Sequence, residues 1–464
     1  MGTVTARSSL QRWGMEGYES RQDDQEGRAK AEEVAQQLVE FVGPLLEELD
    51  KRLDKRLVRT FVGLMQAIIR HRNRPLGLLL SELGGCLLSP AQAPAGTKRI
   101  SNLLRSRKWS AELLSAFLFG QAREEVERLE ASGETAVAVW DGTVWEKPES
   151  IAIEGLCAVR SRKAERLKHV RPGYYAPPPG KVCVPGLEWL VVLVTGLGSP
   201  QRVRVAGMRW WTHRGVLAIS RREVEEECLK RYAQAWGQRV LHVFDRGFAG
   251  SRWLKCLASA EVRFVMRWPR GYSLLGLQGQ RCRAGQLVMR KRSWDKRLLW
   301  DYHARQYRET GVIAVPVGHP DYPGPLWLVV ARQTGRSSPW YLLTNVPVET
   351  AEEAWRIVQA YQCRWQVESA IRFLKSELAI ESPRLWFWEN RMKLLMIVTL
   401  VYSFLVSLLG LEQKEWLIQL LREWCHRTGR KMREALCPLY RLRAALARLW
   451  TTYPPPLPTF QNSG

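Results

Sequence analysis

What this sequence lacks excludes several classes of protein. Its nine cysteines are scattered and form no CxxC pair, and its seven histidines show no metal-ligand spacing. A disulfide scaffold and a zinc site are therefore not expected, and a reducing compartment is favoured. Residues 1–27 contain no apolar stretch like that of a signal peptide, and no internal repeat is present. We therefore expect a cytoplasmic protein.

Long hydrophobic runs are also nearly missing. The exception is the segment 394–411, which has 18 residues without a charge. By hydropathy alone it is a membrane-span candidate at the short end of the range. It is the only such run in the chain, so we favour a buried core helix.

Basic residues are in large excess. The chain has 464 residues, a formal charge of +24 and 21 tryptophans, and its pI is about 10.0. Such an excess of Lys and Arg indicates a polyanionic partner, most simply nucleic acid. An anionic membrane surface is the competing partner and is less favoured. Some tryptophans could stack on bases, and most are expected in the core.

The length predicts two to four domains. Residues 1–50 carry a net charge of −6, whereas residues 51–110 carry +11 on amphipathic helical patterns. We interpret these helices as DNA-binding, with a solvated basic face as the alternative. The predicted parts are a disordered arm (1–27), a helical DNA-binding domain (28–130), a first part of the catalytic core (131–267), a β-rich insertion (268–337), a second part of the core with the signature helix (338–411), and a basic helical C-terminal region with a loose tail (412–464).

The middle of the chain reads as an α/β fold. One apolar strand pattern begins at Ala136 and ends at Asp141, and a later one ends at Asp245. Further strands are predicted at 151–159, 187–195, 262–267 and 340–345, and helices at 214–236 and 251–259. The order β-β-β-α-β-α-β is that of an RNase H-like core, a mixed sheet flanked by helices.

One segment, 361–375, has an unusual helical face. At about 100° per residue, a phenol, a carboxylate and three cations share one narrow arc. They are Tyr361, Arg364, Glu368, Arg372 and Lys375. The opposite arc is apolar and predicts a seat in the core; it holds Val367, Ala370, Phe373 and Leu374. The plain alternative is a solvated face with i,i+4 ion pairs.

Together with the two aspartates, Glu368 predicts a metal site. A single aspartate after a strand is usually a turn or cap residue. Three carboxylates that converge from two strand ends and a helix would repel one another unless cations hold them, and hard oxygen ligands suit Mg²⁺ or Mn²⁺. Two such ions about 3.5–4 Å apart serve phosphodiester displacement. The neighbouring cations and the phenol would then hold DNA phosphates.

These motifs resemble a known family. The pattern Y-x2-R-x3-E-x6-K, formed by Tyr361, Arg364, Glu368 and Lys375, is similar to the signature of DDE transposases from bacterial insertion sequences of the insertion-sequence-four type. The segments WDGT at Asp141 and FDRGF at Asp245 resemble the first and second aspartate motifs of that group. The resemblance covers roughly residues 130–411.

The resemblance implies a catalytic triad of Asp141, Asp245 and Glu368 that binds two divalent ions, Mg²⁺ or Mn²⁺. It also implies transposition by cleavage and joining of double-stranded DNA at terminal inverted repeats, by a homodimer acting at the nucleoid. Trp340 precedes Tyr361 by 21 residues, the spacing at which relatives carry a tryptophan that stacks on a flipped base. Its alternative is a core tryptophan at a strand start.

Two other functions stay open from the sequence. One is a domesticated, catalytically inactive relative that binds DNA without cutting it, against which the intact triad argues. The other, less favoured, is a membrane-associated basic protein built around the apolar run.

Overall fold

The structure is a computed structural model that describes residues 8–72, 76–150, 152–167, 180–199, 202–301, 306–335, 338–410, 414–425 and 438–457, without the side chains of 8–23, 414 and 438. The chain forms two compact units. Unit 1 contains Met1–Leu114, Leu374–Leu385 and Glu389–Gly464, and unit 2 contains Ser115–Phe373 and Trp386–Trp388. The six-part division of the sequence stays a prediction.

Unit 1 is helical. Its helices are α1 (Ser8–Phe41), α2 (Gly43–Asp50), α3 (Lys55–Arg70), α4 (Leu80–Leu87), α5 (Ala93–Arg105), α13 (Trp388–Leu409), α14 (Lys414–Trp424) and α15 (Pro438–Thr452). Pro44 lies in the first turn of α2, where its missing N–H costs nothing. The sequence indicated a disordered arm up to residue 27, but α1 is helical from Ser8. Its residues include many Glu, Gln, Arg and Ala, which are good helix formers.

The apolar helix α13 lies in the core of unit 1. Of the described helices, it is the one long and apolar enough to cross a membrane, but its most apolar 18-residue window is 89% buried. The ring of Phe404 lies 5.6 Å from that of Phe41. The buried Nζ of Lys393 donates to the carbonyls of Leu104 and Ser106, at 3.1 and 2.7 Å. This burial agrees with the predicted core helix.

Unit 2 is a mixed α/β fold built on one large sheet. Its strands are β1 (Ala136–Glu146), β2 (Cys157–Arg160), β3 (Cys183–Gly196), β4 (Val203–Trp211), β5 (Val240–Phe244), β6 (Arg263–Arg267), β7 (Ser273–Leu275), β8 (Arg281–Arg283), β9 (Asp295–Asp301), β10 (Gln306–His319), β11 (Tyr322–Gln333) and β12 (Trp340–Thr344). The order is β2-β3-β1-β5-β6-β12-β11-β10-β7-β8, with β4 on β3 and β9 on β10. The β1–β5 and β5–β6 pairs are parallel, and the others are antiparallel.

Helices cover both faces of this sheet. They are α6 (Ala111–Ala131), α7 (Arg162–Leu167), α8 (Arg221–Trp236), α9 (Ser251–Ala260), α10 (Ala284–Leu287), α11 (Ala351–Gln362) and α12 (Arg364–Ser376). On one face, α6, α8 and α9 share a core with Ala138 and Trp140 of β1 and Phe244 of β5. Because strand side chains alternate between faces, Asp141 and Asp245 point to the opposite face. Helix α11 packs against β5, β6, β10, β11 and β12.

Some predicted elements have other bounds in the structure, and one strand was missed. The strand predicted at 151–159 is confined to β2, and residue 151 lies outside the described part. β4 was not predicted, because Gly207 weakens its strand pattern; a Cβ at Gly207 would collide with the Tyr232 hydroxyl. The helix predicted from 214 begins at Arg221, after a capping box formed by Ser220 and Glu223.

The predicted β-rich insertion contributes strands to the same sheet. Strands β7 to β11 lie within 268–337, and β11 pairs with β12. On its other side β12 pairs with β6, with Leu342 opposite Arg267. The insertion therefore occupies the connection of what would otherwise be a β6–β12 hairpin.

Candidate active site

The two aspartates are brought together by strand register. Strands β1 and β5 run parallel, and their last residue pair is Trp140 with Phe244. The next residue on each strand is Asp141 and Asp245, so their backbones lie about one strand spacing, roughly 4.8 Å, apart. Asp245 ends its strand, as predicted. Asp141 does not, because β1 continues along β3 to Glu146, with Asp141 opposite Val191.

A buried aromatic cluster supports these strand ends from the other face. The Nε1–H of Trp140 donates to Nδ1 of His242 at 3.1 Å. Burial lowers the pKa of His242 to about 3, so its ring stays neutral and can accept this hydrogen bond. The rings of Trp140 and Phe244 lie 5.4 Å apart. The backbone that precedes each aspartate is thus fixed by packing.

The signature segment forms two helices. Helix α11 begins after Thr350, whose side chain forms a capping box with Glu353. The helix ends at Gln362, and α12 begins at Arg364 after a turn at Cys363. The single helix predicted from 361 to 375 is therefore divided. The predicted buried arc is correct, since Val367, Ala370, Phe373 and Leu374 are at most 1% exposed.

Arg364 and Tyr361 connect the carboxylates. The Tyr361 hydroxyl donates to Oδ1 of Asp245 at 3.2 Å. A terminal nitrogen of Arg364 (NH1) lies 2.6 Å from Oε1 of Glu368, and its Nε lies 4.0 Å from Oδ1 of Asp245. One guanidinium therefore links the second aspartate to the glutamate.

The charges of Asp245, Glu368 and Arg364 all act on the Asp141 carboxyl. Burial raises the pKa of Asp141 to about 7; the charge of Arg364 opposes this rise, and those of Asp245 and Glu368 add to it. Burial works against the charge of Arg364, yet Tyr361 and the three carboxylates raise its pKa overall. Burial raises the pKa of Tyr361 to about 12, so its hydroxyl stays protonated as a donor. The site thus holds one uncharged acid near neutral pH and one permanent cation.

The other predicted DNA contacts have different surroundings. The ring of Trp340 meets that of Tyr361 edge-on, with 5.3 Å between centroids, so Trp340 borders the Asp245 side. Exposed Arg372 lies over the ring of Trp365 at 5.5 Å. Lys375 belongs to unit 1, where it pairs with Glu381 at 2.9 Å. Tyr361 is 2% exposed and its hydroxyl is engaged with Asp245, so its predicted phosphate contact stays a prediction.

Two further arginines near the aspartates were not identified from the sequence. The charge of Arg162 lowers the pKa of Asp141. Arg221, the first residue of α8, lies beside Gly142 and Gly247. The i,i+4 spacing of Arg221 and Glu225 indicates an ion pair on a helix, but no local pattern shows that this helix starts next to a strand end far earlier in the chain.

The donor set suits a divalent metal ion. Among the described residues no three His, Cys, Asp or Glu side chains stand close enough to hold an ion as they are, and Glu368 is turned to Arg364. The three carboxylates nevertheless offer the hard oxygen ligands that Mg²⁺ and Mn²⁺ prefer. Their mutual repulsion, seen in the raised pKa of Asp141, is what a bound cation would relieve. The residues present therefore fit the predicted metal.

Comparison with known proteins agrees with this arrangement. Residues 220–404 match the family model described as the transposase DDE domain. The match includes Asp245 and Glu368 and begins after Asp141.

No curated protein matches this chain. It is similar to a solved structure described as the cryo-EM structure of piggyBac transposase synaptic complex with hairpin DNA, with 13% sequence identity and a TM-score of 0.41. That similarity covers 91% of this chain and 78% of the other. The family match supports the predicted DDE transposase, whereas its insertion-sequence type and bacterial host stay predictions.

Proposed function

We propose that this protein is a DDE transposase that moves an insertion sequence of the insertion-sequence-four type, by cleaving and joining DNA at its terminal inverted repeats. The observation that carries the proposal is the register of β1 and β5, which sets Asp141 beside Asp245. The link through Arg364 then adds Glu368 to the pair. This is an arrangement of three carboxylates on one face of a sheet, each from a different element.

The sheet order supports an RNase H-like core. Strands β4, β3 and β1 are antiparallel neighbours, and β5 and β6 follow in parallel on the other side of β1. Helices α8 and α9 provide the connections before and after β5. The catalytic carboxylates would then stand inside β1, directly after β5 and on the helix that closes the opposite face.

We further propose that Asp141, Asp245 and Glu368 hold two divalent ions, Mg²⁺ or Mn²⁺. When bound, such ions activate the attacking water or 3′-hydroxyl and stabilise the leaving oxygen of the phosphodiester. Other residues of the chain hold two of these carboxylates in position. Tyr361 holds Asp245 in place through its hydroxyl, and Arg364 restrains Glu368 until the ligand set is complete.

The remaining residues would serve the DNA. Arg364, once Glu368 has turned away, has donors for a phosphate next to the reacting group. Arg372 and Lys375 supply further positive charge on α12, and Trp340 offers a ring for a flipped base. The partner is double-stranded DNA, both repeats and target, bound by a homodimer at the nucleoid of a cell.

The test is metal-dependent cleavage by the full-length protein. Labelled duplexes that carry the sequences flanking the element would be incubated with Mg²⁺, with Ca²⁺ or with EDTA. We expect cleavage at the repeat boundary in Mg²⁺ alone. Glu368→Ala should lose this cleavage and keep nearly the same affinity for the ends, because Glu368 mainly holds metal.

Two results would contradict the proposal. Specific end binding by the unchanged protein without cleavage in Mg²⁺ or Mn²⁺ would indicate the inactive DNA-binding relative instead. A loss of end binding by Glu368→Ala equal to its loss of cleavage would assign Glu368 to DNA recognition or folding.

A further inference from the structure

Arg221 reaches the loops that follow both aspartates. A Cβ on Gly142 would lie 3.2 Å from one terminal nitrogen (NH2) of Arg221, and a Cβ on Gly247 would lie 3.8 Å from the same nitrogen. Gly142 directly follows Asp141, and Gly247 lies two residues after Asp245. A single guanidinium nitrogen is thus next to the backbone that directly follows both proposed metal ligands, and the two glycines leave it room.

A buried carboxylate holds this arginine in place. Nε of Arg221 donates to Oε1 of Glu225 at 2.6 Å, and Arg222 donates to Oε2 at 2.7 Å. The Glu225 side chain is 0% exposed, so this carboxylate is fully committed to the two arginines. The guanidinium carbon of Arg221 also lies 5.6 Å from the ring of Phe248. The side chain is therefore anchored by its Nε while its end stays accessible.

The donors at that end are unused. In the described part of the chain, Nε is the one guanidinium nitrogen of Arg221 with a hydrogen-bond partner, and the side chain is 38% exposed. Two arginines share a single carboxylate here, which leaves one positive charge beside the aspartate loops. A planar guanidinium with two free terminal nitrogens matches two oxygens of a phosphate.

We propose that Arg221 binds a phosphate of the DNA backbone next to the cleaved bond, with Glu225 as its positioning residue. This inference rests on the proposed function for the presence of DNA at the carboxylates. The ligand is a phosphodiester group and the contact is a pair of charge-assisted hydrogen bonds to its non-bridging oxygens. A purely structural Arg221 would instead serve to pair Glu225 and begin α8.

Arg222 provides a matched control. It gives Glu225 the other hydrogen bond and carries the same charge one residue away, but its guanidinium lies over the ring of Trp253 at 6.0 Å. Arg221→Gln and Arg222→Gln therefore remove equal charge and an equivalent Glu225 contact. Only the first removes the group beside Gly142 and Gly247.

The experiment measures binding without cleavage and then cleavage. Affinity for labelled end duplexes would be measured in Ca²⁺ at several salt concentrations, with single phosphates replaced by uncharged methylphosphonates. In the unchanged protein and in Arg222→Gln, one replacement near the cleavage position should weaken binding. In Arg221→Gln that same replacement should have no effect, and the slope of log affinity against log salt should be smaller by about one.

Cleavage in Mg²⁺ gives the second readout. Arg221→Gln should slow single-turnover cleavage roughly 10²-fold, the usual loss for one donor aimed at developing charge. Arg221→Lys, which keeps the charge and loses the fork, should keep most of the salt slope and slow cleavage roughly tenfold. If thermal melting shows that Arg221→Gln does not fold, Arg221→Lys is the variant that tests the proposal.

Equal effects of Arg221→Gln and Arg222→Gln on the methylphosphonate pattern would overturn the proposal and leave Arg221 a structural residue. Failure of the proposed function looks different. In that case the unchanged protein would not cleave under any metal. The binding data would still show whether Arg221 contacts a phosphate.

Discussion

Asp141 and Asp245 occupy neighbouring positions in the sheet but opposite chemical situations. Asp245 accepts a hydrogen bond from Tyr361 and lies 4.0 Å from Arg364. In the described part of the chain the side chain of Asp141 has no hydrogen bond, and burial raises its pKa to about 7. Asp245 also ends its strand, whereas Asp141 lies inside β1 and between β3 and β5.

The difference indicates which of the two aspartates a bound metal ion would stabilise more. Asp245 contacts two groups of the protein itself, the Tyr361 hydroxyl and the Arg364 guanidinium. Burial and repulsion both oppose the ionised form of Asp141, and a bound cation would offset both effects. The first aspartate should therefore govern pH dependence, and the second should govern local geometry.

The strongest test replaces each aspartate by its amide. Asp141→Asn and Asp245→Asn should each reduce cleavage by roughly 10³-fold or more, since each removes a proposed ligand of the reacting metal. Their effects on the metal-free protein should differ. Between about pH 4 and 7 the folded protein binds a proton at Asp141 that the unfolded chain has lost, so stability falls as pH rises.

At pH 8, Asp141→Asn should therefore melt a few degrees higher than the unchanged protein, and the gain should vanish near pH 4. Asp245→Asn should show no such gain, because it loses its attraction to Arg364. Thermal melting in EDTA measures both. Identical melting shifts for the two variants would show that the surroundings of the two aspartates do not differ in this way.

Metal affinity should follow the charge of Asp141. Because a ligand must be deprotonated, affinity for Mn²⁺ in the absence of DNA should fall about tenfold for each pH unit below 7. Above that pH it should be level. Titration calorimetry measures the dependence, and Asp141→Asn should bind more weakly with a flat profile over the same range. A midpoint near the ordinary carboxyl pKa would show that burial does not act on Asp141.

Trp340 belongs to the Asp245 side through its contact with Tyr361. Trp340→Ala should spare the first nick, because it removes no metal ligand, and should slow the later strand-transfer step roughly tenfold by removing a base-stacking surface. Nicked and joined products on labelled ends can be followed separately over time. An equal loss of nicking would make Trp340 a structural support of Tyr361.

The smallest expected effect is that of Tyr361→Phe. It removes one hydrogen bond to Asp245 and keeps the ring against Trp340, so the unfolding free energy should fall by about 1 kcal/mol. Cleavage should fall only a few-fold. Denaturant unfolding at pH 8 measures the change, with Tyr307→Phe, an exposed site, as control. A loss of cleavage as large as that of Asp245→Asn would give Tyr361 a direct part in the chemistry.

Local sequence patterns predicted the parts of this site but not their assembly. The strand that ends at Asp245, helix α9 and strand β12 all follow from periodicity and turn residues near them in the chain. The pairing of Trp140 with Phe244 does not, because register between strands so far apart depends on packing across the whole sheet. The sequence therefore predicts which carboxylates matter, and the structure shows why two of them meet.

Other features depend on atoms that a pattern cannot show. The turn at Cys363 divides a segment whose periodicity is continuous on both sides. Gly207 interrupts the pattern of β4 because the Tyr232 hydroxyl needs its space. Arg221 lies beside Gly142 through tertiary packing alone. The capping box at Ser220, by contrast, was readable and marks the true start of α8.

The position of the insertion bears on solubility. Without residues 268–339, β6 could turn directly into β12, and the strands that carry the aspartates would keep their neighbours. The outer edge of β12 would then lose β11 and expose unpaired N–H and C=O groups beside the fully buried Leu342 and Leu343. Such an apolar edge is a template for aggregation. A shortened ancestor would have needed another cover for that edge, so the inserted strands protect the sheet whatever else they do for DNA.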